Sequence, residues 1–160
     1  MASAPGRGPQ PVPRPRRKPP PASSEQVRAA MIGNRGKDTR PEQRVRSLLH
    51  AKGLRFRKHV RPVPHLRCQA DVVFPREQVA VFVDGCFWHG CPQHGRVPQS
   101  NSGYWAEKLE RNLERDARNS TTLAEAGWLV LRFWEHDPIE EVAEKVHLHV
   151  TTRRGDWDAR

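Results

Sequence analysis

Residues 79–94 read VAVFVDGCFWHGCPQH, an apolar run that ends at Asp84-Gly85 and empties into two cysteines, two histidines and an aromatic pair. Cys86-x4-Cys91-x2-His94 gathers three soft or borderline metal ligands within nine residues, close enough to wrap one ion. His136 follows a second apolar run, which ends at Trp134, and could supply a fourth ligand. A Cys2His2 set with no open position is a structural zinc site, here one that ties the loop to a distant strand end. His89 is a competing ligand at Cys86-x2-His89, and two buried thiols beside surface histidines would give the same letters without a metal. Cys68, in a different apolar stretch, reads as a core thiol.

The carboxylates suggest a second metal. Asp71 is followed by Val72, Val73 and Phe74, a strand-like context that disfavours aspartate, so its charge must be paired or bind a cation. Asp84 closes the neighbouring apolar run, and the two acids could converge on a hard cation such as Mg²⁺. In a basic chain that pairing points to metal-assisted phosphodiester cleavage. Glu42 could add an outer contact, although it also suits a capping box with Thr39. His89 could activate water or protonate a leaving oxygen near neutral pH. Phe87 and Trp88 look exposed; they are either core or a wedge between base pairs, which is easier to drive in at a mismatch.

Several elements must position these groups. Ser24 caps a short helix ended by Gly33, and Thr39-Arg-Pro-Glu42 opens a firmer one that stops at Gly53, with Val45, Leu48 and Leu49 on its apolar face. Leu54 to Val60 is weakly strand-like and runs into a Pro-containing connection, 61–67. Cys68 to Phe74 and Val79 to Val83 read as a hairpin joined by Pro75–Gln78. Tyr104 to Ala126 reads as a long helix with Trp105, Leu109, Leu113 and Leu123 on or near one face. Trp128 to Trp134 reads as a buried strand, and Asp137-Pro138 caps a last helix reaching about Val150. The fold class is therefore α/β, a mixed central sheet flanked by helices.

Composition agrees. The 160 residues carry 28 Lys and Arg against 18 acids, a formal charge of +10 that favours a polyanion such as nucleic acid. Half of that excess lies in residues 1–22, which hold eight of the fifteen prolines and no acid. This Pro/Arg-rich tail has almost nothing to bury and is expected to be disordered. The organisation expected is tail 1–22, folded domain 23–152 and C-terminal tail 153–160. No apolar run reaches the ~20 residues needed to cross a bilayer, and three cysteines do not make a disulfide framework, so an intracellular, cytoplasmic protein is expected.

VDGCFWHGCPQH, the upstream ADVVF, the downstream Tyr104, Trp105, Lys108, Asn112, Arg115 and Asp116, and GWLVLRFWEH together resemble the very-short-patch-repair DNA mismatch endonucleases, over about 24–136. The resemblance implies a restriction-endonuclease-like fold that nicks one strand 5′ to the T of a T:G mismatch, with catalytic Mg²⁺ and structural Zn²⁺. It implies that Asp71 binds the metal with the Val83 carbonyl, that His89 is catalytic and that Glu42 supports them. Cys86, Cys91, His94 and His136 fall where zinc ligands are expected, and Phe87 and Trp88 where aromatics intercalate. Val27 falls at a hydrophobic wedge position. The chain departs from the best-known pattern in having Val83-Asp84 where Thr-His is found, which replaces a histidine with a carboxylate that could itself bind metal. Lys108, Arg115 and the N-terminal basic residues are expected to hold the backbone of double-stranded DNA. A monomer with repair-protein partners is expected. Two rivals remain at this point, a restriction-type endonuclease acting on intact duplex and a zinc-stabilised DNA-binding module without catalysis.

Overall fold

The computed structural model describes residues 18–22, 24–26, 28–29 and 36–158. Residues 25, 26, 28 and 29 are helical, with the Arg28 N–H on the Ser24 carbonyl at 3.0 Å. Val27, Gly33 and the tail up to residue 17 lie outside the described residues, as do the expectations that fall on them.

Helix α1, Arg40–Ala51, starts behind Thr39 with a proline in its first turn. Its buried residues Glu42, Val45, Arg46 and Leu49 fall at helical spacing on one face. The capping box takes an altered form: Glu42 reaches back to the Thr39 hydroxyl at 2.8 Å and the Asp38 N–H at 3.0 Å, and the Thr39 side chain makes no cap bond. Gly53 follows with φ 78°, and the Leu54 N–H closes onto the Leu49 carbonyl at 3.0 Å. A positive φ of this size favours glycine, which is why the helix stops there.

The hairpin forms, but its first strand is short. β1 is Val72–Phe74 and β2 is Val79–Asp84, antiparallel with Val72 opposite Val81. Cys68 to Asp71 is not regular strand, and Leu54 to Val60 contributes only isolated bridges, Arg57 to Val73 and Val60 to Ala70. The prolines at 62 and 64 explain why no longer ladder forms, since each lacks an N–H to donate. Asp71 therefore stands at the mouth of β1 rather than within it.

Helix α2, Ser102–Glu125, crosses back to β3, Leu129–Trp134, which lies parallel to β2 with Val79 opposite Leu129 and Asp84 opposite Trp134. The sheet order is β1-β2-β3, a mixed sheet as expected. β1 and central β2 are almost fully buried, whereas every residue of β3 is half-buried. On α2, Trp105, Leu109 and Leu123 are buried but Leu113 is 47% exposed, since it faces the open cavity described below.

Helix α3, Ile139–Asp158, continues two turns past Val150. It is held there by Arg153, which donates to the carbonyls of Glu77, Gln78 and Gly127 at 3.1–3.2 Å, and by Arg154, which bonds Glu77 at 2.5 Å. One face of the sheet packs Val72, Phe74, Val79 and Val81 against Val45 and Leu49 of α1 and Val142, Val146 and Val150 of α3. The other packs Val73, Ala80 and Phe82 against Leu123 of α2, Val63 and Cys68, so Cys68 is the expected core thiol. Full burial of each such valine contributes roughly 1.5–3 kcal/mol, and the alternation along β2 is what lets one strand feed both faces. No helix among the described residues is long and apolar enough to cross a membrane.

Candidate active site

The carboxylates, His89 and the Cys/His set singled out in the sequence lie around β2 and the loop that follows it. Asp71 Oδ2 accepts the Val83 N–H at 2.8 Å, so one carboxylate oxygen is fixed by the neighbouring strand. The other oxygen lies 4.0 Å from His59 Nδ1. Burial pushes the Asp71 carboxyl up to about 6, and the negative charges of Glu42 and Asp84 add to the rise, outweighing the Val83 N–H and His59. A carboxylate in that position lacks a full counter-charge, and a hard divalent cation is what would supply one. The geometry records Val83 through its N–H.

Glu42 is buried beside Arg46, whose guanidinium lies 3.5 Å from Glu42 and 2.5 Å from Asp38. His59 Nε2 meets the same Asp38 oxygen at 3.0 Å. Glu42 thus belongs to a network with Asp38, Arg46 and His59 next to Asp71, and its charge reaches the Asp71 carboxyl.

Asp84 is arranged differently from the convergence on a cation that its place in the sequence suggests. Arg132 grips both its oxygens at 2.7 Å, a two-pronged pair. Arg132 comes from β3, where Trp134 is the residue opposite Asp84, and a residue two positions away on the same face is within an arginine's reach. The guanidinium also lies 4.9 Å from the Phe82 ring centre.

His89 sits between the two acids, with Nδ1 at 2.6 Å from Asp116 Oδ2 and 3.5 Å from Asp84 Oδ1. Burial raises the Asp116 carboxyl, but hydrogen bonds from His89 and Arg115 more than offset this and hold it below its ordinary value. An ionised carboxylate only accepts, so the bonded Nδ1 carries the proton and a neutral ring keeps its lone pair on Nε2. That is the tautomer a general base needs. A cavity of about 280 Å³ bounded by His89, Asp116, Arg132 and Trp134 opens alongside, with Leu113 at its rim. Asp116 and Arg132 were not singled out as site residues from the sequence. The signal for Arg132 was a lone cation in the apolar strand WLVLRFW, and that for Asp116 was its place in the motif running from Tyr104, which carried no role with it.

Cys86, Cys91, His94 and His136 do come together, their ligand atoms all within 4.8 Å of one another. The Cys86 sulfur is 3.0 Å from His136 Nδ1, the two histidine Nδ1 atoms are 3.2 Å apart, and the remaining sulfur–nitrogen pairs are at 3.9 Å. Ligands at 2.0–2.3 Å around a tetrahedral ion would be separated by roughly 3.3–3.8 Å, so the cluster could hold a metal and its donors suit zinc. His89 stands apart from this set, on the Asp116 side. Backbone N–H groups and two carboxylates frame the cluster: the Cys86 N–H donates to the Glu135 carboxylate at 2.7 Å, the Glu135 N–H to the Asp84 carbonyl at 2.9 Å, and the Trp134 N–H to the Asp137 carboxylate at 2.8 Å. Gly95 closes the loop onto the Cys91 carbonyl at 2.7 Å, where a Cβ would stand 2.5 Å from that oxygen.

Phe87 and Trp88 are half-buried, not exposed. They pack edge-on to each other at 4.8 Å between ring centres, and Phe87 meets the buried Trp105 at 5.4 Å. Lys108 Nζ lies 4.9 Å from the Trp88 ring, 5.1 Å from Trp105 and 5.7 Å from Tyr104. Arg115 binds Asp116 and Asn112, and Asn112 in turn donates to the Trp88 carbonyl at 3.1 Å.

The comparisons with known proteins agree with this geometry. The family model of the DNA mismatch endonuclease Vsr matches residues 22–94. The type II nicking enzyme V.NaeI of Lentzea aerocolonigenes is 46% identical over 118 residues, covering 72% of this chain and 71% of that protein. The type II nicking enzyme V.XorIIP of Xanthomonas oryzae pv. oryzae is 45% identical over 115 residues, 71% of this chain and 82% of that protein. The DNA mismatch endonuclease Vsr of Escherichia coli K12 is 38% identical over 103 residues, 62% of each. A buried carboxylate, a carboxylate-held imidazole and a Cys/His cluster at one strand end thus sit in a chain that belongs to the Vsr family of DNA endonucleases.

Proposed function

We propose that this endonuclease nicks one strand of duplex DNA on the 5′ side of the T in a T:G mismatch, in a Mg²⁺-dependent reaction on a restriction-endonuclease-like fold. The observation that carries the chemistry is the 2.6 Å bond from His89 Nδ1 to Asp116, beside a carboxylate left short of counter-charge at Asp71. Asp71 would hold the magnesium ion, with Glu42 behind it; when bound, such an ion polarises the phosphate and stabilises the charge that develops on it. Asp116 fixes the His89 tautomer, and Nε2 takes the proton of the attacking water. Asp84, clamped by Arg132, borders the imidazole and limits its rotation instead of binding the ion directly. Cys86, Cys91, His94 and His136 would hold a structural zinc.

Phe87 and Trp88 are proposed to enter the base stack at the mismatch, leaving their contacts with Trp105, while Lys108 follows Trp88 toward the backbone. Trp88→Ala is expected to weaken binding to a T:G duplex by about 1–3 kcal/mol. Equal affinity of wild type and variant, measured by fluorescence anisotropy, would return Trp88 to a packing role.

The decisive measurement is strand-resolved cleavage across a panel of mismatches and their matched homoduplexes, with and without Mg²⁺. Nicking of the T strand alone, confined to T:G and dependent on the ion, is expected. Equal rates on the C:G homoduplex would establish a sequence-specific nuclease instead. That the relatives include type II nicking enzymes supports cutting of one strand over cutting of both.

A further inference from the structure

On α2 every cation already has a partner. Lys108 lies among three aromatic rings, Arg111 faces Glu107 at 3.6 Å, Arg115 binds Asp116 at 2.9 Å, and Arg118 faces Glu114 at 3.8 Å. The three arginines thus already face acids, whereas Lys108 rests on rings without net charge and stays available to a phosphate.

Residues 55–67, RFRKHVRPVPHLR, are the opposite case. They hold five arginines and lysines, two histidines and no acid. Arg55, Arg57, Lys58, Arg61, His65 and Arg67 are all exposed. Arg57, Arg61 and Arg67 make no side-chain ion pair with any described residue, and Lys58 has only Asp38 at 3.8 Å. Self-repulsion would splay a free loop of this composition, yet this one is fastened down. Val63 is buried, and Phe56, Val60 and Leu66 pack against the two core clusters, so the apolar residues between the cations act as pegs. The Arg57 and Val73 backbones exchange hydrogen bonds at 2.8 and 2.9 Å, and the Ala70 N–H bonds the Val60 carbonyl at 3.1 Å. Those two bridges flank Asp71 on either side, and His59 of the same segment lies 4.0 Å from its carboxylate.

Like charges on a fastened segment, with Asp38 beside Lys58 as the nearest acid, are offset best by a polyanion. We propose that residues 55–67 are a phosphate rail: Arg57, Arg61 and Arg67 bind the DNA backbone next to Asp71 and set where the scissile strand enters. The proposal rests on the DNA endonuclease reading and adds the surface that carries non-specific affinity, in a segment distinct from α2. Backbone contacts of this kind carry no sequence information, so the rail acts equally on matched and mismatched duplex.

The test is the full chain with Arg61→Gln and Arg67→Gln together, bound to T:G and matched duplexes by anisotropy from about 50 to 200 mM salt, the range over which counterion release is read. Both residues are exposed and without ion pairs to described residues, so the melting temperature should not move. The slope of log affinity against log salt is expected to fall in magnitude by roughly 2, about one per lost contact. The ratio of T:G to matched affinity should stay constant. Lys145→Gln, on the exposed face of α3, should leave the slope as in wild type. An unchanged slope in the double variant overturns the rail, as does an equal fall in Lys145→Gln, which would mean that overall charge alone is at work; an acidic protein partner would then be the occupant to seek. A wild type that binds with a steep slope, loses it in the double variant and yet fails to nick T:G would uphold the rail while defeating the mismatch reading.

Discussion

Asp71→Asn is expected to abolish nicking and, in the same molecule, to raise the thermal stability of the metal-free protein. The loss follows from removing the carboxylate proposed to hold the catalytic ion, worth several kcal/mol of transition-state stabilisation or roughly 10³-fold in rate. The gain follows from the position of its pKa, raised from the ordinary 3.8 to about 6. The folded state then binds this proton more tightly than the unfolded chain does. Whatever stability the group contributes is complete below pH 4 and lost as the pH climbs through 6. Above that, keeping Asp71 ionised costs on the order of 3 kcal/mol, for a group whose side chain is only 19% exposed. Asparagine keeps an acceptor for the Val83 N–H and carries no charge. At pH 8 without metal the variant should therefore melt higher than wild type by roughly 5–10 °C, and at pH 4 the difference should vanish. Saturating Mg²⁺ should stabilise wild type and leave the variant unchanged, because only the folded carboxylate binds it. Equal melting temperatures at both pH values would show that Asp71 is already compensated, and retained nicking would remove it from the metal site.

The opposing signs of those two effects explain how much of the site could be read from the chain. Asp71 and Asp84 stood out because a carboxylate beside valines breaks the local pattern, and an acid in such a place must be accounted for chemically. The clustering of Cys86, Cys91 and His94 was legible from local spacing, and that of His136 from its place just past a strand end. The mixed sheet followed from the hairpin and from a helix joining two apolar runs. What could not be read was pairing at a distance. The grip of Arg132 on Asp84 depends on the register between β2 and β3, and no local pattern specifies that register. Asp116 stood out only as one residue of the motif on α2, and its role became visible when α2 was laid against the loop carrying His89. Leu113 fits a buried helical stripe by spacing, yet faces an opening where no element covers it. The extra turns of α3 rest on Arg153 and Arg154 reaching carbonyl and carboxylate groups more than 70 residues away in Glu77, again a tertiary cause.

Cys91→Ala tests the other half of the site and should damage both stability and catalysis. The cluster joins the loop after β2 to His136 after β3, so a bound ion would add to the backbone bonds, the Arg132–Asp84 pair and the Glu135 carboxylate that already link the two strand ends. Burial, then the neighbouring Cys91 sulfur and the Glu135 carboxylate, push the Cys86 thiol up to about 12. A four-ligand site with no spare position loses a quarter of its donors with Cys91, which is why the variant should release the metal. Metal binding of this type is folding free energy, and losing it is expected to cost several kcal/mol, a fall of roughly 10 °C or more. Cys68→Ala is the matched control: it removes a similarly buried thiol from the core and should cost only about 1 kcal/mol with the metal content intact. A chelator should bring wild type down to the Cys91→Ala level and leave that variant where it was. Nicking should fall with the metal, because His89 is held between the two sulfur ligands in sequence and must stay fixed against Asp116. One zinc per chain in Cys91→Ala, with a melting temperature near wild type, would take Cys91 out of the cluster and leave the His89 loop to be positioned by Asp116, Asp84 and the aromatic packing alone.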